Sequence, residues 1–162
     1  EAQAEAAADA WGFNCGPGAL CAALGKTPDE IRPLMGDFER KRYTNPKLMF
    51  EVLRRAGVKH TLTYRAETPG KPLPEMERGL VRVQWGGPWT KPGVPMYARY
   101  RHTHWIAVRS GAFPVFDINA MCVGGWLSRE TWESHLVPML LKHCEPKADG
   151  GWWPTHGIEV EA

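Results

Sequence analysis

Apolar residues recur along this chain with two different periods, and the change of period divides it. In Asn45-Pro46-Lys47-Leu48-Met49-Phe50-Glu51-Val52-Leu53-Arg54-Arg55-Ala56-Gly57, positions Leu48, Met49, Val52, Leu53 and Ala56 repeat at helical spacing. Asn45 caps this predicted helix and Gly57 closes it. Ala19-Leu20-Cys21-Ala22-Ala23-Leu24 also favours a helix, entered through Gly16 and Pro17. A third start, Thr27-Pro28-Asp29-Glu30, leads into Ile31 to Met35 and breaks at Gly36. From Val58 the pattern changes. Val58 to Tyr64, Leu80 to Trp85 and His104 to Val108 read as strands. Phe113 to Asn119 reads as a strand returning from a hairpin turn at Arg109-Ser110-Gly111-Ala112. Ser128-Arg129-Glu130-Thr131 starts a last helix toward Leu136 to Leu141, limited by Pro138. Helices first and an antiparallel sheet after them predict an α+β fold, with the Ala19–Leu24 helix packed on the sheet.

The order of elements places chemistry at particular points. Asn14-Cys15-Gly16-Pro17 puts Cys15 where a loop becomes a helix. The unpaired N–H groups and the positive dipole end there favour thiolate over thiol, and the thiolate is the nucleophile of cysteine chemistry. A cysteine before a helix is also often just a small buried apolar residue. A base is available in Arg101-His102-Thr103-His104-Trp105, at the start of a predicted strand. His102 and His104 fall on the same side of an extended strand, and the apolar run that follows favours His104, with His102 the alternative. Asp117 and Asn119 share a face of the returning strand, so either could orient a histidine next to it. Nucleophile, base and orienter, distant in sequence, are the requirement of thiol-dependent acyl transfer.

Asn14-Cys15-Gly16-Pro17-Gly18-Ala19-Leu20, Thr103-His104-Trp105-Ile106-Ala107-Val108 and Val115-Phe116-Asp117 resemble the signature segments of papain-like cysteine peptidases. Within that superfamily the protein is most similar to the compact bacterial branch that includes the bacteriocin-leader peptidases of exporters. The resemblance spans Trp11 to Asn119, with only these short segments specific. It implies a papain-like fold, with Cys15 as nucleophile, His104 as general base and acid, and Asp117 as orienter. The family commonly places an oxyanion-hole glutamine about six residues before the cysteine. This protein has Asp9 there, and its nearest upstream glutamine is Gln3. The remaining oxyanion candidates are the Cys15 backbone N–H, the Asn14 side chain and Gln84. The general look, a small thiol-hydrolase core with a Trp-rich periphery, also resembles small proteins of bacterial or bacteriophage origin.

Composition narrows the picture only a little. A length of 162 residues, 43% hydrophobic, fits a single domain over 1–162. A net charge of +2 does not call for nucleic acid as partner, and Glu39-Arg40-Lys41-Arg42 and Arg99-Tyr100-Arg101-His102 read as solvated basic faces. No apolar run approaches a membrane span, and the first ten residues lack the blocks of a signal peptide. A cytoplasmic or virion-associated setting is expected over a secreted one. With Cys15 reserved for chemistry, Cys21, Cys122 and Cys144 allow at most one internal bridge, and a reducing compartment is the simpler reading. No metal is expected, because His102-Thr103-His104 lacks companion ligands at zinc-site spacing.

Two segments stand apart from the frame. Gln84 to Pro95 is a proline- and glycine-rich loop ahead of the histidine strand, and its Trp85 and Trp89 are candidate substrate contacts. The tail, Gly150-Gly151-Trp152-Trp153-Pro154-Thr155-His156-Gly157, reads mainly as core packing, with stacking on sugar or peptide faces the alternative. The expected function is a cofactor-free thiol hydrolase cleaving a peptide or amide bond in a peptide or protein substrate. Alternatives are a transglutaminase-like acyltransferase, a peptidoglycan amidohydrolase using exposed tryptophans as a glycan platform, and a non-catalytic module that keeps the fold without the oxyanion hole.

Overall fold

The computed structural model describes residues 14–36, 38, 43–66, 72–120 and 123–161. Gln3, Asp9, Trp11, the 39–42 basic cluster, Cys122 and part of the Thr68–Pro74 loop lie outside the described residues. The fold is α+β. Helix α1 is Cys15–Leu24, and helix α2 is Pro46–Arg55. Between them Thr27 and Glu30 form a reciprocal capping box at the start of a short turn, Pro28–Ile31, that tightens over Arg32–Leu34. Asn45 caps α2 by accepting the Leu48 N–H at 2.8 Å.

Six strands follow: β1 (Lys59–Arg65), β2 (Arg78–Trp85), β3 (Thr103–Arg109), β4 (Val115–Phe116), β5 (Trp126–Leu127) and β6 (Trp152–Glu161). They form one sheet in the order β1-β6-β2-β3-β4-β5, with every pairing antiparallel. The tail expected to be mainly core packing is therefore a ten-residue strand, inserted between β1 and β2. The strand expected over Phe113 to Asn119 is only two residues long, because the backbone turns at Ile118 and Asn119 and Asp117 leaves the ladder.

Both faces of the sheet are covered, which explains the near-continuous apolar runs in β2 and β3. By strand alternation Leu80, Trp105, Ala107, Phe116 and Ile158 share one face, and they pack with Leu20 and Ala23 of α1 and Met49, Val52 and Leu53 of α2. Val81, Val83, Ile106, Val108 and Val115 share the other, under Trp132, Leu136, Val137, Leu140 and Leu141 of the C-terminal helix. Each fully buried side chain of this size contributes about 1.5–3 kcal/mol relative to exposure. The histidine strand is thus held rigidly from two sides.

That C-terminal helix corrects the expectation that Pro138 would limit it. It begins at Arg129, with Ser128 Oγ accepting the Thr131 N–H at 3.1 Å, and continues as helix α3 (Val137–Cys144). The two parts join through a π turn over Trp132–Leu136, in which the Val137 N–H donates to the Trp132 carbonyl. Pro138 has no N–H to donate and its ring would clash with the carbonyl four residues before it, so widening the turn just ahead keeps the helix going.

Candidate active site

Strand pairing fixes where His104 can act. β4 pairs with β3 only at Ala107 and Val108, so it leaves the Thr103–Trp105 edge of β3 uncovered. The N-terminus of α1 occupies that opening. The Trp85 N–H donates to the His102 carbonyl, so hydrogen-bonded pairs alternate from there and the Trp105 N–H points away from β2. It donates to Cys15, as does the His104 ring, so the cysteine meets the histidine across the open edge.

α1 comes this close because two of its residues have no side chain. A Cβ on Gly16 would overlap the Thr44 hydroxyl, and one on Gly18 would lie 2.8 Å from Ile118 Cδ1. Thr44 is itself held by the Trp105 indole, which donates to its carbonyl at 2.8 Å. The first intrahelical bond runs from the Gly18 N–H to the Asn14 carbonyl. The Cys15 and Gly16 N–H groups therefore have no intrahelical acceptor, and they add their dipoles at the sulfur.

His104 is buried, and its Nε2–H donates to Asp117 Oδ2 at 2.7 Å, which leaves Nδ1 for the cysteine. Asp117 is fully buried. Its Oδ2 also accepts the Trp132 indole N–H at 3.0 Å, while Oδ1 accepts from Asn119 through the backbone N–H at 3.0 Å and the side-chain amide at 2.9 Å. Burial would raise the Asp117 pKa, but His104 and these donors outweigh it and hold the carboxyl below its usual range. Burial would lower that of His104, yet the charges of Asp117 and Cys15 and its hydrogen bonds to both push it well above the ordinary histidine value. Burial would raise that of Cys15, and the His104 charge and hydrogen bond, with the Trp105 N–H, leave it lowered. The three shifts favour one state, a thiolate–imidazolium pair backed by a carboxylate.

The other candidates are placed differently. Asn119 braces Asp117 and does not face the histidine. His102 stacks on Trp89, with ring centroids 3.6 Å apart, and its Nδ1 lies 2.8 Å from Glu145 Oε2, which removes it as an alternative base. Gln84 is buried, and its amide donates to the carbonyls of Trp85, Arg99 and His102, so it braces the turn into β3 and is spent as an oxyanion donor. Asn14 makes no side-chain hydrogen bond capping α1 and lines the cleft beside Cys15, where it and the Cys15 N–H remain the candidate donors. Trp85 and Trp89 are buried behind the site and border no cleft at Cys15. Trp85 stacks on His104 at 5.7 Å, and the Trp89 indole N–H donates to the Trp85 carbonyl at 2.7 Å. Trp85 thus lies against His104 and Trp89 against His102, and neither lines the cleft at Cys15 where substrate contact was expected. Of the described tryptophans, Trp85, Trp89, Trp105, Trp132 and Trp153 are buried, and Trp126 and Trp152 are half-buried.

The cleft that does reach Cys15 has a volume of about 590 Å³ and is walled by Asn14, Thr44, Tyr97, Tyr100, Trp105 and Arg82, among others. Sequence reasoning missed Arg82. Its signal was present, a lone cation inside Leu80-Val81-Arg82-Val83, where alternation in a sheet covered on both sides demands burial. Trp132 was also missed, since nothing local ties it to Asp117. Among the described residues no group of three or more His, Cys, Asp or Glu side chains could hold a metal, and Cys15, Cys21 and Cys144 are free thiols. No helix among them is long and apolar enough to cross a membrane. Comparison with protein-family models, with curated proteins and with solved structures gave no match for this protein.

Proposed function

We propose that this protein is a papain-like cysteine hydrolase that cleaves a peptide or amide bond. The observation that carries this reading is the contact of Cys15 with a His104 ring whose far nitrogen is held by Asp117. A non-catalytic module would gain nothing from three mutually shifted titratable groups, two of them buried, opening on a cleft, since such pairs are expensive to bury.

In the proposed reaction the Cys15 sulfur attacks the carbonyl carbon, and the oxyanion forms against the Cys15 N–H and Asn14. The His104 imidazolium gives its proton to the leaving amine as the C–N bond breaks, which leaves a thioester. Neutral His104 then takes a proton from water as the water oxygen attacks that thioester. The carboxylic product departs, and the sulfur returns as thiolate beside imidazolium. Asp117 keeps the ring oriented throughout.

The test compares the wild-type protein with Cys15→Ala on a mixed peptide and amide library, read by mass spectrometry. Turnover by the wild type, with a trapped adduct on Cys15 and none in the variant, supports the proposal. Equal product from both proteins, or a Cys15 thiol that titrates like free cysteine, overturns it.

A further inference from the structure

Arg82 is the least explained charge in the structure. It stands in the middle of β2, between Trp105 of β3 and His156 of β6, on the face covered by α1. Only 4% of it is exposed. Its Nε is buried without a hydrogen-bond partner, and among the described residues no carboxylate is paired with it. Its neighbours are the Tyr100 ring, 5.3 Å from the guanidinium carbon, and the Cys15 sulfur. The Tyr100 ring and the Cys15 sulfur offset only part of the desolvation cost of a guanidinium in that condition, and burial lowers its pKa.

The cavities show where the partner would come from. Arg82 lines the cleft at Cys15, and it also lines a second cleft of about 430 Å³ that runs toward His156. The two meet at Asn45, Arg82 and Tyr100. Cations at Lys47, Arg65, Arg99 and Arg101 stand along these walls, and among the described residues no Asp or Glu does. His156 adds no charge to this set, because burial and the charges of Arg82 and Arg65 push it down to about 4, so it is neutral at physiological pH. A groove with one sign of charge and low-dielectric walls concentrates ligands of the opposite sign.

We propose that Arg82 anchors a carboxylate of the substrate, so that the bond presented to Cys15 belongs to a peptide or amide bearing an acidic group next to it. The inference rests on the hydrolase reading above and names its substrate class. A carboxylate suits the site because the planar guanidinium fork binds it through two parallel hydrogen bonds, and it supplies the carboxylate partner that Arg82 lacks among the described residues. The carboxylate can come from an acidic side chain or from the terminal carboxyl of a peptide.

Two alkylating reagents of nearly equal size test the idea. Iodoacetate carries a carboxylate and iodoacetamide does not; with either, the Cys15 sulfur displaces iodide and forms a thioether. Rates at Cys15 are divided by those for glutathione with the same reagent. Iodoacetate should then be favoured at least about tenfold, within the enhancement that a charged cleft gives. Arg82→Gln should remove the preference and Arg82→Lys should keep part of it. An unbiased ratio in the wild type, or the same bias in Arg82→Gln, overturns the proposal. Where Arg82→Gln fails to fold, protection of wild-type Cys15 from iodoacetamide decides. N-acetylglutamate α-amide offers only a side-chain carboxylate and N-acetylalanine only a terminal one, and protection by either supports the anchor and identifies its source. Protection by neither, or equal protection by their uncharged amides, overturns it. Should Cys15 react with iodoacetamide no faster than a free thiol, the hydrolase reading itself has failed, independently of Arg82.

Discussion

Trp132 donates its indole N–H to the Asp117 oxygen that also holds His104, so the third layer of the fold is wired into the site. The π turn that begins at Trp132 is where the C-terminal helix absorbs Pro138, and this irregular turn carries the ring that completes the shell around Asp117. Two donors on Oδ2 and two on Oδ1 leave the carboxylate saturated, in keeping with its complete burial. Trp132 acts through Asp117 and is a positioning residue.

Trp132→Phe tests that role, because it keeps an aromatic ring and removes the donor. A hydrogen bond to a charged group contributes about 1.5–3 kcal/mol, so a loss of that order is expected at neutral pH. The acid limb is more specific. Asp117 has a depressed pKa in the folded protein, so its contribution is present above the unfolded value and lost as pH falls through the folded one. Removing a donor raises the folded value, and the acid-unfolding midpoint should move to higher pH. A midpoint equal to that of the wild type would make Trp132 mere packing.

The pH dependence of Cys15 alkylation has a definite sign. Because His104 holds the thiol below its ordinary value, iodoacetamide should react with Cys15 at pH values where free cysteine is mostly protonated. Cys21 should stay unlabelled, since burial pushes its thiol up to about 12. His104→Ala should shift the Cys15 curve to higher pH. In the proposed reaction hydrolysis also needs protonated His104, so it should rise through the Cys15 titration and fall as pH climbs through the raised His104 value. Peptide mapping of the labelled protein across a pH series reads all of this except the alkaline limb, which needs a substrate assay.

Gly18→Ala sets helix propensity against fit. In an open helix the change stabilises by roughly 1 kcal/mol. Here the new methyl would stand 2.8 Å from Ile118 Cδ1, and overpacking of this kind costs about 1–3 kcal/mol, so a net loss is expected. The helix carrying Cys15 would shift away from His104, and alkylation of Cys15 at neutral pH should slow. Ile118→Val deletes the colliding atom, so the double variant should recover both stability and rate; independent, additive losses would place the clash elsewhere.

The sequence announced the parts whose cause is local. Asn45 and Ser128 cap helices, and of the predicted apolar stripe of α2 Met49, Val52 and Leu53 are buried while Leu48 and Ala56 are half-buried. Cys15 at a helix start was legible for the same reason, whereas Asp117, read as part of the returning strand, lies just past its end. What remained hidden depends on partners distant in sequence. β6 looked like tryptophan packing because its mates are β1 and β2, far earlier in the sequence. Trp85 and Trp89 looked like substrate contacts because their loop is rich in proline and glycine, although the rings fold back beneath His104 and His102. Gln84 looked available until its three carbonyl partners were seen.

Asp117→Asn asks whether the charge or only the shape of this carboxylate matters. The side chain keeps its size, but one of two oxygens becomes an NH2 group. If it replaces Oδ2 it faces the His104 ring and the Trp132 indole, and if it replaces Oδ1 it faces two Asn119 donors. Either way a donor is buried against donors, which costs on the order of 1–3 kcal/mol and should lower the melting temperature. With the amide oxygen toward the ring, His104 keeps its orientation and loses its charge partner. Its raised pKa should then fall, and with it the pH above which hydrolysis declines. A rate loss on the order of 10²-fold at neutral pH is expected. An alkaline limb that stays in place while stability drops would assign Asp117 to structure alone and remove it from the reaction.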